Sequence, residues 1–192
     1  AEYTVNYKKT HSQTLLPMID EMVRMVDADL NTVDAIAVSG GPGSFTGLRI
    51  GSATPKGLGL ALDKPLIHVP TVDALAYSVY GCEDIICPIM DARRRQVYTG
   101  IYTFVRNEAP EEGSCYSEPK FRVLRVQMAV SVEELIRRLN IYGKRVVFLG
   151  DGVPVYKEML AQGLKVPYTF APSFMNRQRA AAVGALGIRY YR

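Results

Sequence analysis

Residues 35–62 read AIAVSGGPGSFTGLRIGSATPKGLGLAL. Ala35-Ile36-Ala37-Val38 is a short apolar run, the pattern of a strand covered on both faces. Ser39-Gly40-Gly41-Pro42-Gly43 cannot extend it, because flexible residues surround one that lacks an amide donor. Ser44 or Thr46 is placed to cap the helix that follows, and Leu48, Ile50, Leu58, Leu60 and Leu62 supply its apolar positions. A glycine turn feeding a helix N-terminus is the layout of a phosphate cradle. Its candidate anion or nucleotide contacts are Gly41, Gly43, Ser44 and Arg49.

The specific phosphate signatures fail here. A G-x-x-x-x-G-K-[ST] loop needs a Lys after a Gly, but Lys56 follows Pro55 and Lys64 follows Asp63. A G-x-G-x-x-G loop would start at Gly41, yet Thr46 stands at its last position and Gly47 comes one residue late. Two readings stay open: an anion held by bare amides, or a turn whose glycines serve sterics alone.

The helix itself is poor in bulk. Gly47 and Gly51 lie four apart and share a face, while Ser52, Ala53, Gly57 and Gly59 keep much of the rest small. Such a helix packs closely against something, either its own sheet or a helix of a second chain. Pro55 deletes the bond to the Gly51 carbonyl and is expected to bend the axis.

Outward from this stretch, residues 11–29 carry Leu15, Leu16, Ile19, Met22, Val23 and Val26 at helical spacing, with Ser12 or Thr14 as cap and Pro17 in or near the first turn. Glu2 to Tyr7 alternates weakly, as an edge strand would. Leu66 to Val69 reads as a strand and Val72 to Tyr80 as a helix, an α/β pattern with parallel pairing. After Gly81, Ile85–Met90 and Gln96–Val105 read as a hairpin around Asp91-Ala92-Arg93-Arg94-Arg95, and Asn107–Pro119 as a surface loop. Phe121–Met128 is a third strand. Ser131 with Glu134 has the capping-box form, followed by a strand at 145–149, Gly150-Asp151-Gly152, a helix at 153–162, a strand at 168–171 and a helix at 179–190. The break near residues 76–84 divides the chain into a first lobe, 1–80, and a second, 81–192, whose last helix is expected to pack back at the lobe junction.

The chain has 192 residues, 48% of them hydrophobic, enough for a sizeable core. No apolar run reaches the roughly 20 residues of a membrane span, so no membrane partner and a cytoplasmic location are expected. The opening AEYTVNYKKT shows no apolar signal core and reads as entered in mid-strand. Three cysteines (Cys82, Cys87, Cys115) without a C-x-x-C pair point to reduced thiols. Two distant histidines, His11 and His68, exclude an H-E-x-x-H zinc site. The first 75 residues hold 6 Lys/Arg against 8 Asp/Glu, and the rest 17 against 11. A basic second half suits nucleic acid or another acidic surface, or is a plain solvated face. Asp91 with Arg93–Arg95 reads as a phosphate or acidic-partner grip, or as a solvated turn. The cations of Asn176-Arg177-Gln178-Arg179 sit at the unfavourable end of the last helix and hint at an anion there. No G-x-S-x-G elbow or other catalytic set emerges.

HSQTLLPMIDEM, DAIAVSGGPGSFTGLRIGSATPKGLGLAL, PLIHVPTVDALA, PIMDARRRQVYTGIY, VVFLGDG and NRQRAAAVGALG, in that order, resemble the bacterial TsaB (YeaZ) family of tRNA threonylcarbamoyladenosine biosynthesis proteins. The resemblance implies an actin/sugar-kinase/Hsp70-like α/β fold with two lobes, each on a ribonuclease-H-like sheet. It implies a non-catalytic scaffold in making N6-threonylcarbamoyladenosine at position 37 of ANN-decoding tRNAs, without a cofactor of its own. ATP and metal belong to the TsaD-like transferase and the TsaE-like ATPase, the expected partners, with a homodimer in isolation. The two helices of the first lobe would build the contact, through Leu15, Met18, Met22, Gly47, Ile50, Gly51, Thr54 and Leu58. Older glycoprotease-like labels find no protease set here. Family members usually open with a strand–turn–strand that is not in this sequence, and Pro55 stands where they usually have Ala. The alternative is a phosphotransferase or ATPase using the cleft between the lobes.

Overall fold

The computed structural model describes residues 1–5, 11–106 and 117–192, with the side chains of residues 11 and 12 left aside. It divides into two compact units, residues 1–74 with 179–192, and residues 75–178. This differs from the expected 1–80 and 81–192: the boundary falls inside a helix, and the final helix belongs with the first unit.

In the first unit, β1 (Ile36–Ser39) pairs in parallel with β2 (Leu66–Val69), Ile36 opposite Leu66 and Ser39 opposite Val69. Three helices accompany them: α1 (His11–Met25), α2 (Phe45–Leu62) and α6 (Ala180–Tyr191). α2 and α6 pack on the strands, and α1 packs on α2. Gly187 explains the placement of α6, since a Cβ there would stand 2.7 Å from the Ala37 Cβ. Only a residue without a side chain lets this helix lie so close to β1.

Ser44 caps α2, its Oγ accepting the Gly47 amide at 3.1 Å. Pro55 lies within the unbroken helix and is buried together with Gly59, one turn on. Pro17 falls in the second turn of α1 rather than the first, and α1 ends at Met25, short of residue 29. Residues 1–5 form no strand. The Ser12 cap, most of the 107–119 loop and Cys115 lie outside the described residues.

Helix α3 (Thr71–Tyr77) carries the chain from one unit to the other. The second unit holds β3 (Ile85–Asp91), β4 (Gln96–Val105), β5 (Lys120–Ser131), α4 (Val132–Tyr142), β6 (Val146–Leu149), α5 (Val153–Gly163) and β7 (Tyr168–Phe170). The strand order is β5-β4-β3-β6-β7. β3, β4 and β5 form an antiparallel meander, and β6 and β7 extend the sheet in parallel from β3. The local hairpin runs antiparallel, and each parallel addition needs a helical crossover, which α4 and α5 provide. This is the ribonuclease-H-like order that the resemblance implies.

Alternation sets the two faces of this sheet. Ile85, Cys87, Ile89, Val97 and Ile101 meet Leu135 and Leu139 of α4 and Tyr156 and Leu160 of α5 in one buried cluster. Tyr102 and Phe104 meet Tyr77, Tyr80 and Phe121 in an aromatic group, with Tyr102 and Phe121 stacked at 5.3 Å between centroids. Gly100 makes this possible: a Cβ there would fall 2.2 Å from the Tyr102 hydroxyl. The strand register shifts at the same place, between Thr99 and Tyr102, as glycine in a strand often marks. No helix among the described residues is long and apolar enough to cross a membrane.

Candidate helical docking face and glycine loop

The glycine loop is stapled in place by its own unit. Gly40 N donates to Val69 O at 2.9 Å, Gly41 N to Thr71 Oγ1 at 3.0 Å, and Thr71 N returns to Gly41 O at 2.8 Å. Thr71 Oγ1 also lies 2.6 Å from Ser39 Oγ. Gly41 is buried, with φ at +110°, a conformation that glycine adopts without steric cost. At the head of α2, the Gly47 amide is bound to Ser44 Oγ and the Leu48 amide to Ser44 O. Four of the amides that a phosphate would recruit are thus engaged internally.

Arg49 is exposed, and its guanidinium carbon lies 4.0 Å from the Phe45 ring centroid, a cation–π contact on the surface of α2. Gly43 and Ser44 are exposed. The four candidate anion contacts therefore occupy one loop and helix start, with Ser44 acting as a cap and Arg49 as a partner of Phe45. The steric reading accounts for this geometry without a ligand.

The candidate interface residues fall on the two helices that pack together. Leu15, Met18 and Met22 are half-buried on α1, as are Gly47, Ile50, Gly51, Thr54 and Leu58 on α2. Among the described residues of α1, not one is fully buried. In α2 only Pro55 and Gly59 are. Gly59 faces the chain's own sheet, where a Cβ would meet Leu66 and the Lys64 carbonyl at 3.0 Å. At Gly51 and Gly57 a Cβ would meet no heavy atom within 4 Å. The small residues of α2 thus divide: Gly59 serves the internal packing and Gly51 and Gly57 open outward. Phe45 is 70% exposed, Leu60 87% and Met25 65%.

The second unit gathers polar groups at the ends of β3 and β6. Asp91 Oδ1 accepts the Tyr156 phenol at 2.7 Å and the Arg93 amide at 2.8 Å, and the Asp91 amide donates to Asp151 Oδ1 at 3.1 Å. Burial, helped by the Asp91 carboxylate, pushes the Tyr156 phenol up to about 12. The Gly150 amide donates to Asn176 Oδ1 at 3.0 Å, and the Gln178 amide nitrogen lies 3.8 Å from Met90 Sδ. Sequence reasoning found these motifs separately; their joining, Asp91 to Asp151 and Gly150 to Asn176, is a product of the sheet order.

The two described thiols, Cys82 and Cys87, are not poised as nucleophiles. Cys87 is fully buried beside Thr99 Oγ1, and burial pushes it up to about 12; burial raises Cys82 as well. A nucleophilic cysteine needs the opposite shift. Among the described residues, no three His, Cys, Asp or Glu side chains are grouped to hold a metal ion.

Comparison with known proteins gives a consistent set of likenesses. Residues 3–188 match the family model described as TsaD: tRNA N6-adenosine threonylcarbamoyltransferase. The tRNA threonylcarbamoyladenosine biosynthesis protein TsaB of Bacillus subtilis is 29% identical over 97% of this chain and 76% of its own length. TsaB of Escherichia coli is 31% identical over 69% of this chain and 54% of its own. Among solved structures, YeaZ from Pseudomonas aeruginosa superposes with a TM-score of 0.68 at 26% identity, covering 94% of this chain and 78% of that one. A further structure, described as similar to peptidase YEAZ from Pseudomonas aeruginosa, has a TM-score of 0.71 at 24% identity over 95% and 77% and shares the fold.

Proposed function

Since the chain belongs to the TsaB (YeaZ) family, within the family described as TsaD, we propose that it serves tRNA threonylcarbamoyladenosine biosynthesis as a scaffold subunit without catalysis of its own. Its partner is a TsaD-like transferase, docked on the face of α1 and α2. A TsaE-like ATPase joins the assembled pair, and the tRNA is bound through the complex. A second copy of this chain takes the same face when the partner is missing.

One observation carries this reading. Among the described residues, nothing seals the apolar stripe of α1 or the outward positions Gly51 and Gly57 of α2. Glycine on an outward helix face is unfavourable for an isolated helix by roughly 1 kcal/mol per residue. It gains a purpose where another helix must approach closely, because the backbone then forms the contact surface. Leu15, Met18, Met22, Ile50 and Leu58 supply apolar area beside it, at about 25 cal/mol per Å² removed from water. An ATPase reading is the weaker one, since the loop amides of Gly40, Gly41, Gly47 and Leu48 are already bonded.

The test is Gly51→Leu. Its side chain enters open space in the isolated chain, so folding is retained, while close helix approach is blocked. Co-purification with the TsaD-like subunit and modification of an ANN-decoding tRNA are both expected to fall. If both stay at the level of the unaltered chain, the docking face is wrong.

A further inference from the structure

Arg93, Arg94 and Arg95, between β3 and β4, have φ of 62°, 52° and 58°. Three consecutive side chains thus occupy the left-handed region that L-residues avoid. Glycine, Asn or Asp would adopt it with less steric conflict. The turn is fastened from beneath. Asp91 Oδ1 holds the Arg93 amide, Tyr156 holds Asp91, and Asp151 accepts the Asp91 amide. The Ala92 amide donates to Gln96 O at 3.0 Å and the Gln96 amide to Arg93 O at 2.9 Å, which closes the loop.

The three arginines are exposed. Among the described residues, Arg95 has one carboxylate near it, Glu133 at 4.0 Å. Among the described residues, neither Arg93 nor Arg94 has a carboxylate oxygen within 4.0 Å of its guanidinium. Asp91, though adjacent, is committed to the Tyr156 phenol and the Arg93 amide, and Asp151 to the Asp91 amide. Asp91 and Asp151 hold the turn, and among the described residues the Arg93 and Arg94 guanidiniums face no carboxylate.

Backbone strain kept at an exposed turn is a reason to ask what the side chains do. We propose that this tip is an anion-recognition element that grips the phosphodiester backbone of RNA. Arginine forks match phosphate oxygens in pairs, and a rigid turn presents them with little ordering left to do. Residues 76–192 hold 17 Lys/Arg against 11 Asp/Glu, so the surrounding half favours polyanions. An acidic protein segment is the poorer match. Protein contacts rely on buried aromatic or aliphatic anchors, and Ala92 is the one apolar side chain from Asp91 to Arg95. The choice of RNA rests on the tRNA-modification reading above.

Fluorescence anisotropy of the full chain with a labelled, unmodified transcript of an ANN-decoding tRNA tests this across a potassium chloride series. Arg93→Gly with Arg94→Gly removes two charges while easing the backbone, and Arg93→Lys with Arg94→Lys keeps the charges. The glycine pair is expected to bind about tenfold more weakly at low salt, and its log–log salt slope to drop by roughly 1.5. The lysine pair keeps the slope. Thermal melting confirms that both variants fold.

Unchanged affinity and slope in the glycine pair overturns the inference, and so does the absence of salt-dependent binding by the unaltered chain. If the glycine pair instead loses binding to polyglutamate and keeps the tRNA, the tip belongs to an acidic protein and the RNA assignment falls. These variants leave α1 and α2 untouched, so pairing with the TsaD-like subunit is a separate readout. Loss of the RNA effect with pairing intact removes this inference alone, and pairing unaffected by Gly51→Leu removes only the docking reading.

Discussion

Glu2 and Arg179 stand 177 positions apart and share one short contact: Glu2 Oε2 accepts the Arg179 guanidinium at 2.6 Å. The other oxygen of Glu2 accepts the Ala181 amide at 3.2 Å, in the first turn of α6. Arg179, at the N-cap, makes no side-chain capping bond of its own. Glu2 therefore supplies both the missing cap and the negative charge that a helix N-terminus favours. The cation that stood at the wrong end of the last helix has its anion.

This contact sets an acid-side dependence. The Arg179 hydrogen bond first, and the Ala181 amide after it, hold the Glu2 carboxyl below its ordinary 4.5. A depressed carboxyl contributes stability above its ordinary pKa and loses it as pH falls through the folded value. Glu2→Gln is therefore expected to lower the urea midpoint at pH 7 and to lie closer to the unaltered chain at pH 3 than at pH 7. An equal gap at both pH values would show that the carboxylate charge is not what ties Glu2 to α6.

The alkaline side belongs to Tyr156. Its phenol, raised to about 12 by burial and then by Asp91, favours the protonated form in the folded chain. A raised pKa contributes stability that is complete below the ordinary value near 10 and is lost as pH climbs through about 12. Tyr156→Phe is expected to cost about 1–2 kcal/mol at pH 8, through the lost bond to a carboxylate. Above pH 10 the gap narrows, because the unaltered chain then loses what the variant never had. Urea denaturation at pH 8, 10 and 11.5 measures it, and a gap that widens with pH contradicts the assignment.

Glycines 150 and 51 should respond in opposite directions. Gly150 has φ of +109°, and a Cβ there would sit 2.2 Å from the Ile89 carbonyl oxygen. Gly150→Ala combines a left-handed penalty with a backbone clash that no rotamer relieves, and is expected to cost more than about 3 kcal/mol. At Gly51 the added methyl meets nothing, and alanine in a helix interior gains about 0.5–1 kcal/mol over glycine. Equilibrium denaturation of the two single variants reads both signs. A destabilised Gly51→Ala would mean that the open face closes on something within the chain itself.

What the sequence disclosed follows how local each signal is. Strand, turn and helix at 36–62 were legible because apolar spacing and the Ser44 cap act within a few residues. The hairpin at 85–105 was legible for the same reason. The capping box at Ser131 formed by half: Ser131 Oγ takes the Glu134 amide, while the Glu134 carboxylate turns to Arg138 at 2.7 Å and to Arg137. Arg137 and Arg138, one turn on, hold the carboxylate that a complete capping box would turn back to the Ser131 amide. The Glu2 cap and the seat of α6 against Ala37 were illegible, since pairings across most of the chain leave no periodic trace. The small and apolar residues of the proposed docking face were legible. Its openness was not, because Gly51 and Gly59 look alike in sequence and only the packing of Leu66 tells them apart.

The left-handed arginines left no trace in the sequence either, since no glycine marks the turn, and this makes them testable by stability alone. Arg94 has φ of 52° and no acidic partner among the described residues. A left-handed conformation costs a residue with a Cβ about 1–2 kcal/mol, which glycine avoids. Glycine also adds freedom to the unfolded chain, which offsets part of that gain. Arg94→Gly is therefore expected to raise stability by about 0.5–1 kcal/mol, and Arg94→Ala to leave it nearly unchanged, although both remove the same guanidinium. The ordering glycine above alanine, read from urea midpoints at neutral pH, isolates the backbone from the charge. The reverse ordering would mean that Asp91 and Tyr156 do not hold the turn left-handed in solution, and the rigid presentation of the three arginines would go with it.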